Sequence, residues 1–418
     1  MPSLSQRNSF RSLRHRNFRL VWSAGLISNV GSWAQIIAQD WLVWELTHSS
    51  LAISVAATIQ MIPSMMFSLQ AGLIADRFPK DKILILTNVV GSITAAITGI
   101  MVLTDSIEYW HALVLCFIVG AASAVDAPVR LSFVSELVGH DDLPNAVSLN
   151  SSSFNIARLI GPAASGLLIA RFGTGPSFLI NAVSTVFVIF ALISINEDEL
   201  QRESIPKSSG TIREGWNYLW ARPDLRVVLL VALFTSAFGL NFNFFNAIMV
   251  TKVFNQDAAV FGSLGTVVAI GSLSGALLST RIEHLRTPRN IVSGATMFGL
   301  ILLALSLMPN IYVYAAVLPF GGVIALMTMI SANSSMQSHT DPVVRGRVMA
   351  WYVMAFNAPF GSPLLGWVSE HLGARAAIAT GGGLTAISAL TIAFLFRGRL
   401  DRPDNYSIDA VLEANSKF

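Results

Sequence analysis

Charged and amide side chains stand in this chain where apolar surroundings give them little reason to be. Asp40 follows Asn29, Trp33 and Gln39 within an otherwise apolar run, and Asn29, Trp33, Ile36, Asp40 and Trp44 recur at helical spacing on one face. Asp126 lies near the end of another apolar run, shortly before Pro128 and Arg130, while Arg158 lies deep in a third, close to Asn155. A carboxylate so placed can take up and release a proton, or it can anchor a helix end at the membrane edge; both roles stand for Asp40, and Asp126 is the second candidate for proton binding. Arginine keeps its charge, so Arg158 needs a carboxylate, backbone carbonyls or an anionic ligand. Asn241, Asn243 and Asn246 alternate with Phe242, Phe244 and Phe245, and Asn357 lies in a later run. Amides flanked by aromatics can line a cavity for a partly apolar molecule or hydrogen-bond one helix to another.

Enzymatic chemistry is poorly provided for. All seven histidines fall in loops or at the ends of apolar runs, and none is followed by an aspartate five residues on. No Gly-Lys dipeptide occurs, which excludes a phosphate-binding loop. Cys116 is the single cysteine, so no disulfide can form within the chain, and a buried thiol is expected. No cluster has metal-ligand spacing. Neither an enzyme, a metal nor a cofactor is expected.

The elements that must position these residues follow from composition. The 418 residues are 53% apolar and only 12% charged, more apolar surface than a soluble protein of this length could hide. Apolar runs long enough to cross a bilayer fall at 20–44, 51–75, 83–104, 109–134, 146–170, 176–195, 226–250, 258–280, 290–308, 311–331, 348–369 and 375–396. They are too long and too little alternating for a barrel. The fold class expected is an all-α membrane protein of twelve transmembrane helices. With the N-terminus inside the cell, 23 of the 27 lysines and arginines face the cytoplasm, and the reverse topology is untenable. The expected location is the inner (plasma) membrane, with both termini cytoplasmic. The sequence pI near 9.2 then reflects attraction to an anionic inner leaflet and not nucleic-acid binding. The first run is too long for a signal peptide and is kept as a span.

Composition changes abruptly after Asn196, where acidic residues, then Pro206, Lys207 and Gly210, precede a stretch with Trp216 and Trp220. A linker over 197–225 with an interfacial helix around 211–222 would separate a first bundle (1–196) from a second (226–400), followed by a tail (401–418). The halves repeat with a register near 200 residues: Gly161, Gly166 and Gly173 correspond to Gly361, Gly366 and Gly373. Two six-helix repeats of this kind describe a rocker. Gly161, Pro162 and Gly166 form a small-residue bend that permits close helix crossing. Between the second and third runs, Gly72, Asp76, Arg77, Lys80 and Lys82 make a charge-dense hairpin turn suited to gating one side of a membrane.

Twelve spans, the internal repeat and this turn resemble the major facilitator superfamily. Its motif A is matched by Gly72, Asp76, Arg77, Lys80 and Lys82, with departures at Pro79 and Asp81. Gly161, Pro162 and Gly166 look like the glycine-proline bend of its antiporter branches. Asn17-Phe18-Arg19 leading into Gln39-Asp40-Trp41-Leu42, then Asp126, Pro128 and Arg130, Asn155 with Arg158, and Arg345 with Arg347 are similar to the drug:proton antiporter-3 branch, which includes enterobactin and macrolide exporters. The resemblance implies a cytoplasmic gate in which Asp76 meets the helix beginning near Val348, while Asp126 or Glu136 meets Arg77 or Lys80; Arg130 belongs to the same group. It also implies proton-coupled export of small amphipathic molecules by a monomer in the lipid bilayer. A siderophore exporter or a lysophospholipid flippase on the same fold remains the alternative, with Arg158 holding an anionic group.

Overall fold

No water reaches a bilayer core to satisfy backbone N–H and C=O groups, so a chain that crosses repeatedly must close those bonds within each segment. The computed structural model does so with helices, and no strand occurs among the described residues, which are 10–201, 211–281, 287–341, 343–357 and 360–398. The side chains of 68–77, 140 and 212 are also outside the described set. Six helices fill the first half: α1 (Arg16–Thr47), α2 (Ser50–Arg77), α3 (Lys80–Leu103), α4 (Tyr109–Gly139), α5 (Asp141–Phe172) and α6 (Gly175–Ile193). A short helix, α7 (Ile212–Ala221), leads to α8 (Pro223–Val253), α9 (Ala258–Ser279), α10 (Pro288–Ser306) and α11 (Ile311–Ser338). The chain then forms α12 (Arg345–Phe356), α13 (Gly361–Leu372) and α14 (Ala374–Leu395).

Ten of these helices are long and apolar enough to cross a membrane, which makes this a multi-pass helical membrane protein. Two of the twelve expected runs are not among them. The run at 20–44 lies in α1, whose Asn29, Gln35, Gln39 and Asp40 interrupt its apolar character. The run at 348–369 is not one helix: it divides into α12 and α13, of 12 residues each. The run at 226–250 also departs from a regular helix. α8 contains π turns at Thr235–Gly239 and Met249–Val253, and the chain leaves the helix at Leu240 and Asn241. Such turns widen a helix locally and redirect its side chains.

Helix ends follow local chemistry. Thr287 caps α10 through the backbone N–H of Asn290, with Pro288 at the first helical position, and Asn310 caps α11 through Val313 N–H at 3.0 Å. α4 and α5 are continuous except at Gly139, whose φ of 72° breaks the ladder between them.

The chain divides into two units, the first comprising Met1–Pro206 with Gln256–Thr266 and the second Lys207–Asn255 with Val267–Phe418. The internal repeat is visible in the backbone of each. Gly173 ends α5 with φ 74°, and Gly373 ends α13 with φ 93°. Gly161 brings α5 onto α1, since a Cβ there would stand 2.5 Å from Trp33 Cβ; Gly361 brings α13 onto α8, since a Cβ there would stand 1.8 Å from the Ala237 carbonyl oxygen. Gly99 lets α3 approach α6 at Gly175, and Gly299 lets α10 approach α14 at Gly382. Each unit has its own buried apolar cluster. Phe18, Leu84, Phe133, Leu149 and Val188 belong to the first, and Leu219, Val228, Ile291, Ala332 and Tyr352 to the second.

Candidate functional site

In the first unit, two helical ladders meet between α1 and α5. Asn29 and Trp33 are one turn apart on α1, and Phe154 and Arg158 are one turn apart on α5. Asn29 Nδ2 donates to Ser153 Oγ at 3.1 Å, and Phe154 packs edge-on to Trp33 with ring centroids 5.5 Å apart. The Arg158 guanidinium lies 5.6 Å from the centroid of the Trp33 ring. Among the described residues the guanidinium has neither a hydrogen bond nor an ion pair. Asn155 turns back on its own helix, its Nδ2 donating to Ser151 O at 2.8 Å.

About two turns further along α1, Gln39 Nε2 donates to Gln60 Oε1 on α2 at 2.9 Å. Gly120 of α4 abuts the Gln60 backbone, where a Cβ would come within 2.0 Å of the carbonyl oxygen. Asp40, next to Gln39, is 9% exposed. Among the described residues its carboxylate has neither a hydrogen bond nor an ion pair. Asp126 is its opposite. Thr87 Oγ1 and Asn88 Nδ2 donate to Oδ1 at 2.7 and 3.1 Å, and Arg130 grips both oxygens at 2.8 and 2.9 Å. Bidentate, charge-assisted hydrogen bonds of this kind are shorter and stronger than neutral ones.

Beside this network, Lys80 Nζ lies 2.6 Å from Glu136 Oε1, whereas Lys82 is exposed. The side chains of Gly72, Asp76 and Arg77 lie outside the described residues, as does any docking of Asp76 on α12. Gly161, Pro162 and Gly166 lie on α5 against α1 and the first turns of α9: Gly166 faces Gly262, and Gly265 faces the Pro162 ring.

In the second unit, the amides of α8 are used structurally to different degrees. Asn246 is 1% exposed and accepts from the Tyr314 hydroxyl at 3.0 Å, and its Nδ2 has no hydrogen-bond partner among the described residues. Asn241 accepts from Ser362 Oγ at 2.8 Å and donates to Ala237 O at 3.0 Å. Asn243 is half-buried with no hydrogen bond among the described residues. Asn357 stands where α12 stops, and its Nδ2 donates to Val353 O at 2.9 Å.

Several clusters escaped the sequence reading. Asn181 of the unremarkable α6 donates to Gln35 Oε1 at 2.6 Å. Asp142, at the start of α5 with a side chain only 1% exposed, collects Arg11, Arg14 at 2.8 Å and His15 at 2.7 Å. In the second unit, Thr211 and Glu214 form a capping box at α7, Glu214 pairs with Arg347 of α12, and Trp216 packs between Trp220 and Trp351. The Glu214 carboxyl is held below its ordinary value, first by the Thr211 backbone N–H and hydroxyl and then by the Arg347 charge. Thr211 followed three residues later by Glu214 was a readable cap signature; the partners of Asp142 and Asn181 are 127 to 146 residues distant in sequence, and no local pattern reveals them.

Known proteins of similar sequence are transporters. The chain is 22% identical to the staphyloferrin A transporter of Staphylococcus aureus over 384 residues, covering 90% of this chain and 95% of that one. It is 22% identical over 374 residues to the multidrug efflux pump Tap of Mycolicibacterium fortuitum, covering 85% and 90%. Its fold matches a crystal structure of a bacterial homologue of the human lysosomal transporter Spinster with a TM-score of 0.69 at 14% identity, over 94% of this chain and 99% of that one. The profile of the transmembrane secretion effector family matches residues 7–414. The chain is therefore a membrane transporter and not an enzyme, and it belongs to the transmembrane secretion effector family of the major facilitator superfamily.

Proposed function

We propose that this protein is a proton-coupled exporter that moves small amphipathic molecules out of the cell by alternating access. Two six-helix bundles (1–196 and 226–400) joined by the linker 197–225 would rock about a cargo site, with both termini and the tail 401–418 in the cytoplasm. The observation that carries the reading is Asp40: a buried carboxylate with no compensating group among the described residues. Protonation neutralises such a charge and deprotonation restores it, so its state can bias one conformation over another. Asp126 serves the cytoplasmic gate instead, with Arg130, Lys80, Glu136 and the motif of Gly72, Asp76, Arg77 and Lys82. Its four donors tie it to α3 and to Arg130. Efflux by a relative such as the Tap pump agrees with this direction of transport. The test is dye transport in inverted vesicles with an imposed pH step. Asp40→Asn is expected to abolish the pH-driven component while leaving the amount of protein in the membrane unchanged; undiminished transport would rule the residue out.

A second reading of the cargo rests on Arg158. Its cation lies by the Trp33 ring and has neither a hydrogen bond nor an ion pair among the described residues, a setting suited to a carboxylate or phosphate on the cargo. A siderophore would fit, as the staphyloferrin A relative suggests, and so would a lysophospholipid. Arg158→Ala is expected to abolish transport of carboxylate-bearing cargo while sparing neutral dyes. Equal loss of both would count against an anion site.

A further inference from the structure

A cavity lined by residues of the second unit has no place in the arrangement above. It measures about 370 Å³ and lies between α11 and α12, lined by Met329, Asn333, Ser334 and Gln337 on one side and by Tyr352 and Phe356 on the other. Among the described residues, no charged side chain lines it. Gln337 Nε2 donates to Asn333 Oδ1 at 2.5 Å, which leaves Asn333 Nδ2 and Gln337 Oε1 available. Tyr352 is 3% exposed, and its phenol has no hydrogen-bond partner among the described residues. That hydroxyl is not sealed off, so it is open to a ligand that enters the cavity. Tyr352 and Phe356 stack one turn apart at 6.4 Å, an aromatic wall beside the amides. The wall is fixed from behind: Trp351 packs on Trp216 of α7, and Ser236 Oγ of α8 bonds to Phe356 O at the point where α12 ends.

We propose that this cavity binds an uncharged, aryl-bearing molecule that offers a hydrogen-bond acceptor to the Tyr352 hydroxyl. The ring of the ligand stacks on Tyr352 and Phe356, Met329 closes the apolar side, and the Asn333 amide supplies a second donor. An ion is disfavoured because no lining group compensates its charge. The ligand class is therefore the reverse of that expected at Arg158. Binding here is independent of Asp40 and of the export reading.

The test is fluorescence anisotropy on the full-length protein, purified in detergent and again in lipid nanodiscs, with two probes that share one ring system. These are 7-amino-4-methylcoumarin, which is neutral, and 7-methoxycoumarin-4-acetate, which is an anion. Saturable binding of the neutral probe is expected in both media, weakened about 2- to 10-fold by Tyr352→Phe, the range set by one hydrogen bond. Asn333→Leu is expected to weaken it similarly, and neither substitution should change binding of the anion. Unchanged binding of the neutral probe in both variants would overturn the site, and so would loss of binding in nanodiscs, which would make the cavity a lipid-filled groove. Equal affinity for the two probes at this cavity would overturn the ligand class. Transport is not read here, so a failure of proton coupling leaves the result intact, and the reverse also holds.

Discussion

Asp40 and Asp126 carry the same functional group in unlike surroundings, the first buried without a hydrogen bond or ion pair among the described residues and the second gripped by Thr87, Asn88 and Arg130. The difference argues that their asparagine variants fail in different ways. Asp126→Asn should loosen the first unit around Arg130 and lower thermal stability in detergent, whereas Asp40→Asn should leave the melting temperature unchanged or raised, because it removes a buried uncompensated charge. A second buried pair allows a sharper stability test. Arg222 and Asp224, each with a side chain 4% exposed, join α7 to α8 through two hydrogen bonds at 2.9 and 2.6 Å. Asp224→Ala removes the carboxylate that balances the buried guanidinium, and the expected loss is about 3–5 kcal/mol. Differential scanning fluorimetry should show it, and the paired change Arg222→Met with Asp224→Leu should recover most of the stability. A large loss in the pair as well would mean that packing, not charge, holds this corner.

At the scale of elements, each unit fastens a segment that precedes its first long helix. Residues 11–15 are tied to Asp142 at the start of α5, and α7 is tied to Arg347 near the start of α12. The second fastening is open to titration from solvent. Glu214 ordinarily titrates near 4.5, and its folded-state value is lower because Thr211 and Arg347 favour the carboxylate. Its contribution is therefore fully present above pH 4.5 and is lost as pH falls through the lower folded value. Emission from Trp216, Trp220 and Trp351 should shift to longer wavelength only below about pH 4.5, as α7 leaves α12, and Glu214→Gln should remove that step. The glycine crossings predict a matched pair of defects. Gly161→Ala collides with Trp33 Cβ and Gly361→Ala, more closely, with the Ala237 carbonyl oxygen, and neither atom can rotate away. Each should destabilise its unit by about 1–3 kcal/mol, the second by more.

For the whole molecule, composition alone made the membrane legible, because 53% apolar residues in long runs have no other solvent. The family was legible from a few charged and glycine positions, and the glycine register near 200 residues was legible because a backbone with positive φ, as at Gly173 and Gly373, tolerates few other residues. Other features were not. The run at 348–369 shows Asn357, Gly361 and Pro363, yet nothing in their order says that the helix stops at Phe356, since Ser236 and Asn357 must be placed before the end of α12 is satisfied. The π turns of α8 likewise depend on neighbours, Gly239 against Phe298 and Asn246 against Tyr314. The candidate site was legible as residue types but not as partners: Arg158 was visible, its ring was not. Orientation remains a prediction at this scale. A cysteine placed at Arg213 should react with a membrane-impermeant maleimide in inverted vesicles and not in intact cells; labelling in intact cells would reverse the assigned topology.

Cys116 gives that kind of experiment an unusual starting point. The single thiol of the chain is 3% exposed within α4, so the unaltered protein should be silent to water-borne thiol reagents. Any reactive position introduced by substitution then reports on itself alone, without first rebuilding the protein. Spin or fluorophore pairs placed on α5 and α13 could follow the working cycle in a background that differs from the native sequence only where the probes sit.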